Sequence, residues 1–259
     1  MSKTNSIAAG KVTIATNEQG VSTITFFHPS HNSLPGALLN ELAETIIKAG
    51  KEERTHVIIL QSEGDRTFCA GASFDELIAI ENKEQGLAFF SGFAKVINAC
   101  RTSSKIIIGR VQGKAIGGGV GVAAATDYCF ATQHAAIKLS ELAIGIGPFV
   151  VGPAVERKIG VAAFSELALD ATEFRSAAWA KDKGLYASVF DSIDELDVAV
   201  QDFAVKLASY NLEALSAMKQ IFWQGTEHWE QLLSERAGIS GTLVLSDFTR
   251  QAIQQFKSK

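Results

Sequence analysis

The sequence holds only three cysteines, Cys69, Cys100 and Cys129, about thirty residues apart, with no C-x-x-C pair and no histidine at ligand spacing. That excludes a disulfide framework and a thiolate zinc site, and reads the three as buried small hydrophobes in a reducing compartment. Histidine is equally sparse: His28, His31, His56, His134 and His228 are scattered with no H-x-x-x-H pair, which argues against a metal centre. There is no G-x-S-x-G elbow, and Ser140 has no evident His partner, which argues against a hydrolase triad. Positive charge is not in excess. Lys and Arg number 24 against 28 Asp and Glu, a net charge of -4, so a broad face for nucleic acid or an anionic membrane is not expected. A small anion at a helix N-terminus stays open.

Long hydrophobic runs are missing too. The most apolar window, Ile144 to Val155, falls well below the ~18 residues of a membrane span and carries two prolines. Near the start, Ile7, Ala8 and Ala9 are far too few for a signal-peptide core. The final QQFKSK is neither a peroxisomal tripeptide nor a prenylation box. A soluble, cytosolic protein is therefore expected. The 259 residues have ordinary globular composition, 47% apolar and 20% charged, so there is material for a real core in one or two domains.

What is present alternates between strand and helix signals. KVTIAT (Lys11 to Thr16) and VSTITFF (Val21 to Phe27) predict an opening hairpin across Asn17-Glu18-Gln19-Gly20. Helical spacing of Leu38, Leu39, Leu42, Ile46 and Ile47 predicts a helix from Gly36 to Ala49. HVIILQS and KIIIGRV read as strands buried on both faces. Between them lie a short helix from Phe74 to about Ile80 and a longer one from Gln85 to about Arg101, with Leu87, Phe90, Phe93, Ala94 and Ile97 on one face. DYCFAT, AIKLS and ASVFDS read as further short strands, AVERKIG as a helix, and the chain as continuously helical from about Asp194. Trp223 and Trp229 read as helix packing. Strands mixed with helices, then helices alone, give an α/β core with a helical C-terminal part. No internal repeat is visible.

Three segments carry candidate chemistry. In VQGKAIGGGVGVAAATD, Val111 to Asp127, three successive glycines after a buried strand lead into a small-residue helix. Uncovered backbone N–H groups at a helix N-terminus stabilise an oxyanion. The glycines alone fit a helix packed tightly on a sheet equally well. A loose G-x-G-x-x-A at Gly119 to Ala124, with Glu141 about twenty residues on, also matches dinucleotide binding. The strand DYCFAT arrives too soon for a full crossover helix, which argues against that match. FCAGASF, Phe68 to Phe74, would add a second N–H donor if the fold brought it to the triplet, the arrangement that holds an enolate. Glu141 is a lone carboxylate in the apolar stretch IKLSELAIGIGPFVVGP. It lies either on a solvated turn, as most Glu do, or in an apolar pocket where desolvation suits it to proton transfer near neutral pH.

Together these segments resemble, in order and over nearly the whole chain, the crotonase superfamily, the enoyl-CoA hydratase/isomerase fold. VQGKAIGGG followed some twenty residues later by LSEL is the most specific part of the match. The resemblance implies a ββα spiral core over residues 1–195 that binds a CoA thioester, a helical C-terminal region over 196–259 for trimerisation, and a homotrimer or hexamer. It implies that Ala72 and Gly118 are the oxyanion donors, that Glu141 is the general acid/base, and that Ala70, Ser73 and Phe74 lie at the adenine pocket. Gly117, Gly121, Pro148 and Phe149 would line the acyl pocket. No cofactor is implied beyond the coenzyme A of the substrate.

Three departures from the family pattern matter. Gly121 stands where the best-known hydratases carry another glutamate, so a water held between two glutamates is not available in its usual form. Pro148-Phe149-Val150-Val151-Gly152 replaces a glycine-rich P-G-A-G-G turn, which reshapes the acyl pocket, and Ser73 replaces a common Asp. A single carboxylate suffices for a Δ3,Δ2-isomerase, and for a hydratase if Glu141 activates the water alone. LSEL-x-I-G-I-G-P-F-V-V-G-P-A-V looks like branched-chain hydratases of the methylglutaconyl-CoA type. The reading is therefore a hydratase of a short or branched 2-enoyl-CoA, with the isomerase next and a non-catalytic CoA- or RNA-binding member as the third alternative.

Overall fold

The structure, a computed structural model, describes residues 10–257, with side chains to residue 255. The Ile7 to Ala9 stretch and the last two residues lie outside the described residues. The chain opens with β1 (Lys11–Thr16), β2 (Val21–Phe27) and α1 (Gly36–Lys51). It continues through β3 (Val57–Ser62), β4 (Thr67–Cys69), α2 (Phe74–Ile78) and α3 (Lys83–Thr102). Then follow β5 (Ile106–Val111), β6 (Lys114–Ile116), α4 (Gly118–Ala125), β7 (Tyr128–Thr132) and β8 (Ile137–Lys138). After a 3₁₀ turn at Glu141–Ile144 come α5 (Gly152–Leu169), α6 (Ala177–Asp182) and β9 (Ser188–Phe190). The chain ends in α7 (Ile193–Ala208), α8 (Leu212–Phe222), α9 (Trp229–Leu243) and α10 (Asp247–Lys257).

Successive strands go to two different sheets. Six form a large sheet in the order β1-β2-β3-β5-β7-β9, with β1 antiparallel to β2 and every other pair parallel. Three short ones form a second, parallel sheet, β4-β6-β8. After the opening β1-β2 hairpin, three successive turns (β3/β4, β5/β6, β7/β8) each lay one strand in the large sheet and the next in the small sheet, then return by helix, which is a ββα spiral of the crotonase type.

The continuous apolar runs are explained by cover on both sides of the large sheet. Ile58, Leu60 and Ile107 face α1 and α3 in the main core. Their neighbours Val57, Ile59 and Ile108 face Leu196, Val200 and Ala204 of α7. The boundary read at residue 195 falls inside α7, in its first turn. The three cysteines are free and buried, and burial pushes each thiol up to about 12, so none is a thiolate at neutral pH.

Several local expectations need correction. β6 and α6 had no signal, because a three-residue strand among glycines and a six-residue helix are shorter than any periodicity test. The C-terminal run is broken into four helices, with caps at Ser192 and Asn211. AVERKIG extends into a longer α5 that kinks at Gly160, where φ is 76°. Most instructively, β5 and β7 are parallel neighbours joined across α4. The segment is long enough for that crossover because β6 leaves the large sheet first.

One buried polar cluster ties the last helices to this core. Asp127 Oδ2 accepts from Ile107 N–H and from Lys219 Nζ, both at 2.7 Å, and Oδ1 accepts from Trp223 Nε1 at 2.7 Å. The Asp127 and Lys219 side chains are each 2% exposed. Lys219 also donates to the Lys105 carbonyl at 2.9 Å, and Lys158 to the Asp127 carbonyl at 2.9 Å. A buried pair is strongly missed when one partner is removed, since the other charge is stranded. Asp127→Ala is expected to lower unfolding stability by about 3–5 kcal/mol in urea titrations; a loss within experimental error would show that water reaches Lys219.

Candidate active site

The small sheet assembles the site, because its three parallel strands end on the same side. Beyond β4 the chain turns through Gly71 at φ +91°. Leu34 N–H donates to the Gly71 carbonyl at 2.8 Å and Ser73 N–H to the Leu34 carbonyl at 3.1 Å, so Leu34 pairs with the neighbours of Ala72. The Ala72 carbonyl takes the Ser33 hydroxyl at 2.8 Å. The Ala72 N–H has no acceptor among the described residues.

Beyond β6, Gly117 adopts φ +53°. Its N–H donates to the Lys138 carbonyl at 2.8 Å, and its own carbonyl accepts from Val120 at 2.9 Å and Gly121 at 3.4 Å. Gly118 N–H, at the head of α4, has no acceptor among the described residues. The two turns are close: a Cβ added at Gly71 would lie 3.7 Å from the Gly118 nitrogen.

Beyond β8, the 3₁₀ turn carries Glu141 toward the same place. A Cβ on Gly117 would lie 3.0 Å from Glu141 Oε1, so the carboxyl stands directly over that α-carbon. Glu141 Oε2 is shut from solvent and has no hydrogen-bond partner. Burial raises its pKa from 4.5 to about 7, and a hydrogen bond from its own backbone N–H offsets only part of the shift. Of the two environments left open by the sequence, Glu141 occupies the apolar one.

These parts line a single cavity of about 170 Å³. Of the residues singled out from sequence, Ala70, Ala72, Phe74, Gly117, Gly118, Glu141, Pro148 and Phe149 lie in its wall. Ser73 and Gly121 do not. Ser73 caps α2 by accepting from Glu76 N–H at 3.3 Å. Gly121 is covered by Val151, whose Cγ1 would be 2.5 Å from an added Cβ, so a branched side chain fills the space that a larger residue at 121 would need.

Sequence reading missed the aromatic wall and the contribution of α9. Phe89, Phe90 and Phe93 of α3 line the cavity, and the Phe93 ring would lie 2.2 Å from a Cβ on Gly118. The helical stripe of Phe90 and Phe93 was legible, but a stripe does not tell core from cavity. Ser240 of α9 had no signal at all. Phe149 stands on Gly147, where an added Cβ would meet its ring at 2.4 Å. Among the described residues there is no cluster of metal-ligating side chains, and no helix is long and apolar enough to cross a membrane.

Free amide N–H groups beside a desolvated carboxyl, on a ββα spiral, define an enzyme of the crotonase class. Comparison with known proteins agrees. The profile of the enoyl-CoA hydratase/isomerase family matches residues 16–259. A peroxisomal Δ(3,5)-Δ(2,4)-dienoyl-CoA isomerase of Arabidopsis thaliana is 30% identical over 250 residues, 89% of this chain and 88% of that one. A 2,3-dehydroadipyl-CoA hydratase of Escherichia coli (strain K12) is 29% identical over 216 residues, 83% of this chain and 82% of its own. In fold, the crystal structure of an enoyl-CoA hydratase from Bacillus halodurans superposes with a TM-score of 0.86 at 21% identity, covering 94% of this chain and 99% of that one. The chain belongs to the enoyl-CoA hydratase/isomerase family.

The raised pKa has a sign that stability measurements read directly. A carboxyl that titrates near 7 when folded and near 4.5 when unfolded withdraws stability as pH rises between those values, and the full penalty applies above 7. Glu141→Gln is expected to exceed the wild type in stability above pH 7 by up to about 3 kcal/mol, at ~1.4 kcal/mol per unit. The gap should close toward pH 4.5. Equal urea midpoints above pH 7 would mean that the carboxylate is solvated.

Proposed function

We propose that this enzyme hydrates a short or branched 2-enoyl-CoA thioester through an enolate, with Glu141 as its acid/base. The observation that carries the reading is the buried, unpartnered Glu141 carboxyl facing the same cavity as the free N–H groups of Ala72 and Gly118. The ionised carboxylate takes a proton from water as the oxygen bonds to C3. The C2=C3 electrons move toward the thioester, and its carbonyl oxygen becomes the enolate oxygen held by the two N–H groups. The protonated Glu141 then delivers its proton to C2. Ser140 shares the lining, and its hydroxyl has no partner among the described residues, which gives the water a second contact beside Glu141.

A Δ3,Δ2-enoyl-CoA isomerase is the second reading, favoured by Val151 against Gly121. With no second carboxylate there to hold water, the same group would move one proton from C2 to C4. The relatives named above fall on both sides of this choice. A homotrimer, alone or paired as a hexamer, in the cytoplasm and without a resident cofactor is proposed with either reading. Exposed apolar side chains such as Leu169, Ile221 and Phe248 support an assembly.

The conjugated thioester absorbance separates the readings. Its loss with crotonyl-CoA or 3-methylglutaconyl-CoA marks the hydratase, and its gain from a 3-enoyl-CoA alone marks the isomerase. Thermal stabilisation by acyl-CoA with no turnover would mark a non-catalytic member. Glu141→Gln is expected to lower kcat by about 10² or more, as for loss of a general acid/base; unchanged turnover would remove Glu141 from the mechanism. The rate should rise with pH through about 7, the value at which the carboxyl ionises, and this limb should be absent in the Gln variant.

A further inference from the structure

Ser240 is out of keeping with the wall it belongs to. The cavity it lines is otherwise largely apolar, with Phe89, Phe90, Phe149 and Val151 in the wall. Ser240 is 1% exposed, and its hydroxyl makes no hydrogen bond to any described residue. A buried hydroxyl ordinarily finds a partner, and in a helix the nearest is the carbonyl one turn back. Other helical hydroxyls here do so: Thr242 donates to the Gly238 carbonyl at 3.0 Å and Ser91 to the Leu87 carbonyl at 2.6 Å. Ser240 lines the cavity instead.

The position is fixed by the packing of α9. An added Cβ at Gly86 of α3 would lie 2.7 Å from the Gly241 α-carbon, so the two backbones touch beside Ser240. Arg236, one turn earlier, donates to the Phe149 carbonyl at 3.4 Å and ties α9 to the loop that shapes the pocket. A hydroxyl is both donor and acceptor but carries no charge.

Resting on the acyl-CoA reading above, we propose that Ser240 is a specificity-determining residue. Its hydroxyl selects an acyl chain that carries its own oxygen, as hydroxyl, carbonyl or carboxyl, on the carbons remote from the thioester. A plain alkyl chain leaves Ser240 unpartnered in the closed complex, which is the arrangement that discriminates against analogues lacking a polar group.

The test uses unreactive saturated ligands, so that it does not depend on turnover. Affinities of 5-hydroxypentanoyl-CoA and its near-isostere hexanoyl-CoA, and of 4-hydroxybutanoyl-CoA and pentanoyl-CoA, are measured by calorimetry on the wild type and on Ser240→Ala. The wild type is expected to favour the hydroxylated ligand of at least one pair by about tenfold, the scale of one hydrogen bond. In Ser240→Ala that preference should disappear. Equal affinities in both wild-type pairs, or a preference that survives the substitution, would overturn the role of Ser240 while leaving the acyl-CoA reading intact. No binding of any acyl-CoA would overturn both. The wild-type comparison stands even if the variant does not fold.

Discussion

The Glu141 carboxyl rests on the α-carbon of Gly117, and the site depends on that approach. An L side chain at 117 would meet Oε1 at 3.0 Å and would be strained at φ +53°. Glycine therefore lets a carboxyl from one turn settle against the helix start of the next. The apolar wall then removes water from it, and burial moves its pKa to about 7. Position and acidity follow from the same contact. A carboxyl with this pKa is close to half ionised at neutral pH, which suits the acid/base role proposed for it.

The rest of the fold holds the parts of that contact in place. Three parallel strands of the small sheet end together, so Ala72, Gly117 and Glu141 meet although some seventy residues separate the first and last. Gly117 spends its own N–H and carbonyl on the β6–β8 pairing and the first turn of α4, leaving the Gly118 N–H unengaged. Phe93 closes over Gly118 from α3, and Val151 closes over Gly121. Farther off, Asp127 collects Ile107, Lys219 and Trp223 and so binds α8 to the end of the large sheet. A single bonded cluster fixes the end of α8, from which the chain leads into α9 and the pocket.

Much of this was legible in the residues. Uninterrupted apolar runs marked β3 and β5 because both faces are covered, and the Gly-Gly-Gly and Ala-Gly-Ala turns marked chain reversals that tolerate few side chains. Glu141 was visible as a carboxylate out of place, though residue type alone tipped it toward solvent. Its burial is a tertiary fact, since the Gly117 turn on which it rests and the α3 ring wall of the same cavity come from distant segments. Gly121 shows the converse. From the sequence it reads as a position without the expected carboxylate, but that Val151 occupies the space depends on a loop path that no spacing encodes. Ser240 was silent because a serine in an amphipathic helix is ordinary until its hydroxyl is found without a partner.

Hydrogen exchange at C2 is the most direct test of a carboxyl that moves protons beside a stabilised enolate. Butanoyl-CoA, which has no double bond to hydrate or shift, would be incubated with the enzyme in deuterium oxide and its mass followed. Deuterium is expected to enter at C2 with the wild type, with only background exchange in Glu141→Gln. Exchange at equal rates in both, or none with a wild type that binds the ligand, would contradict it.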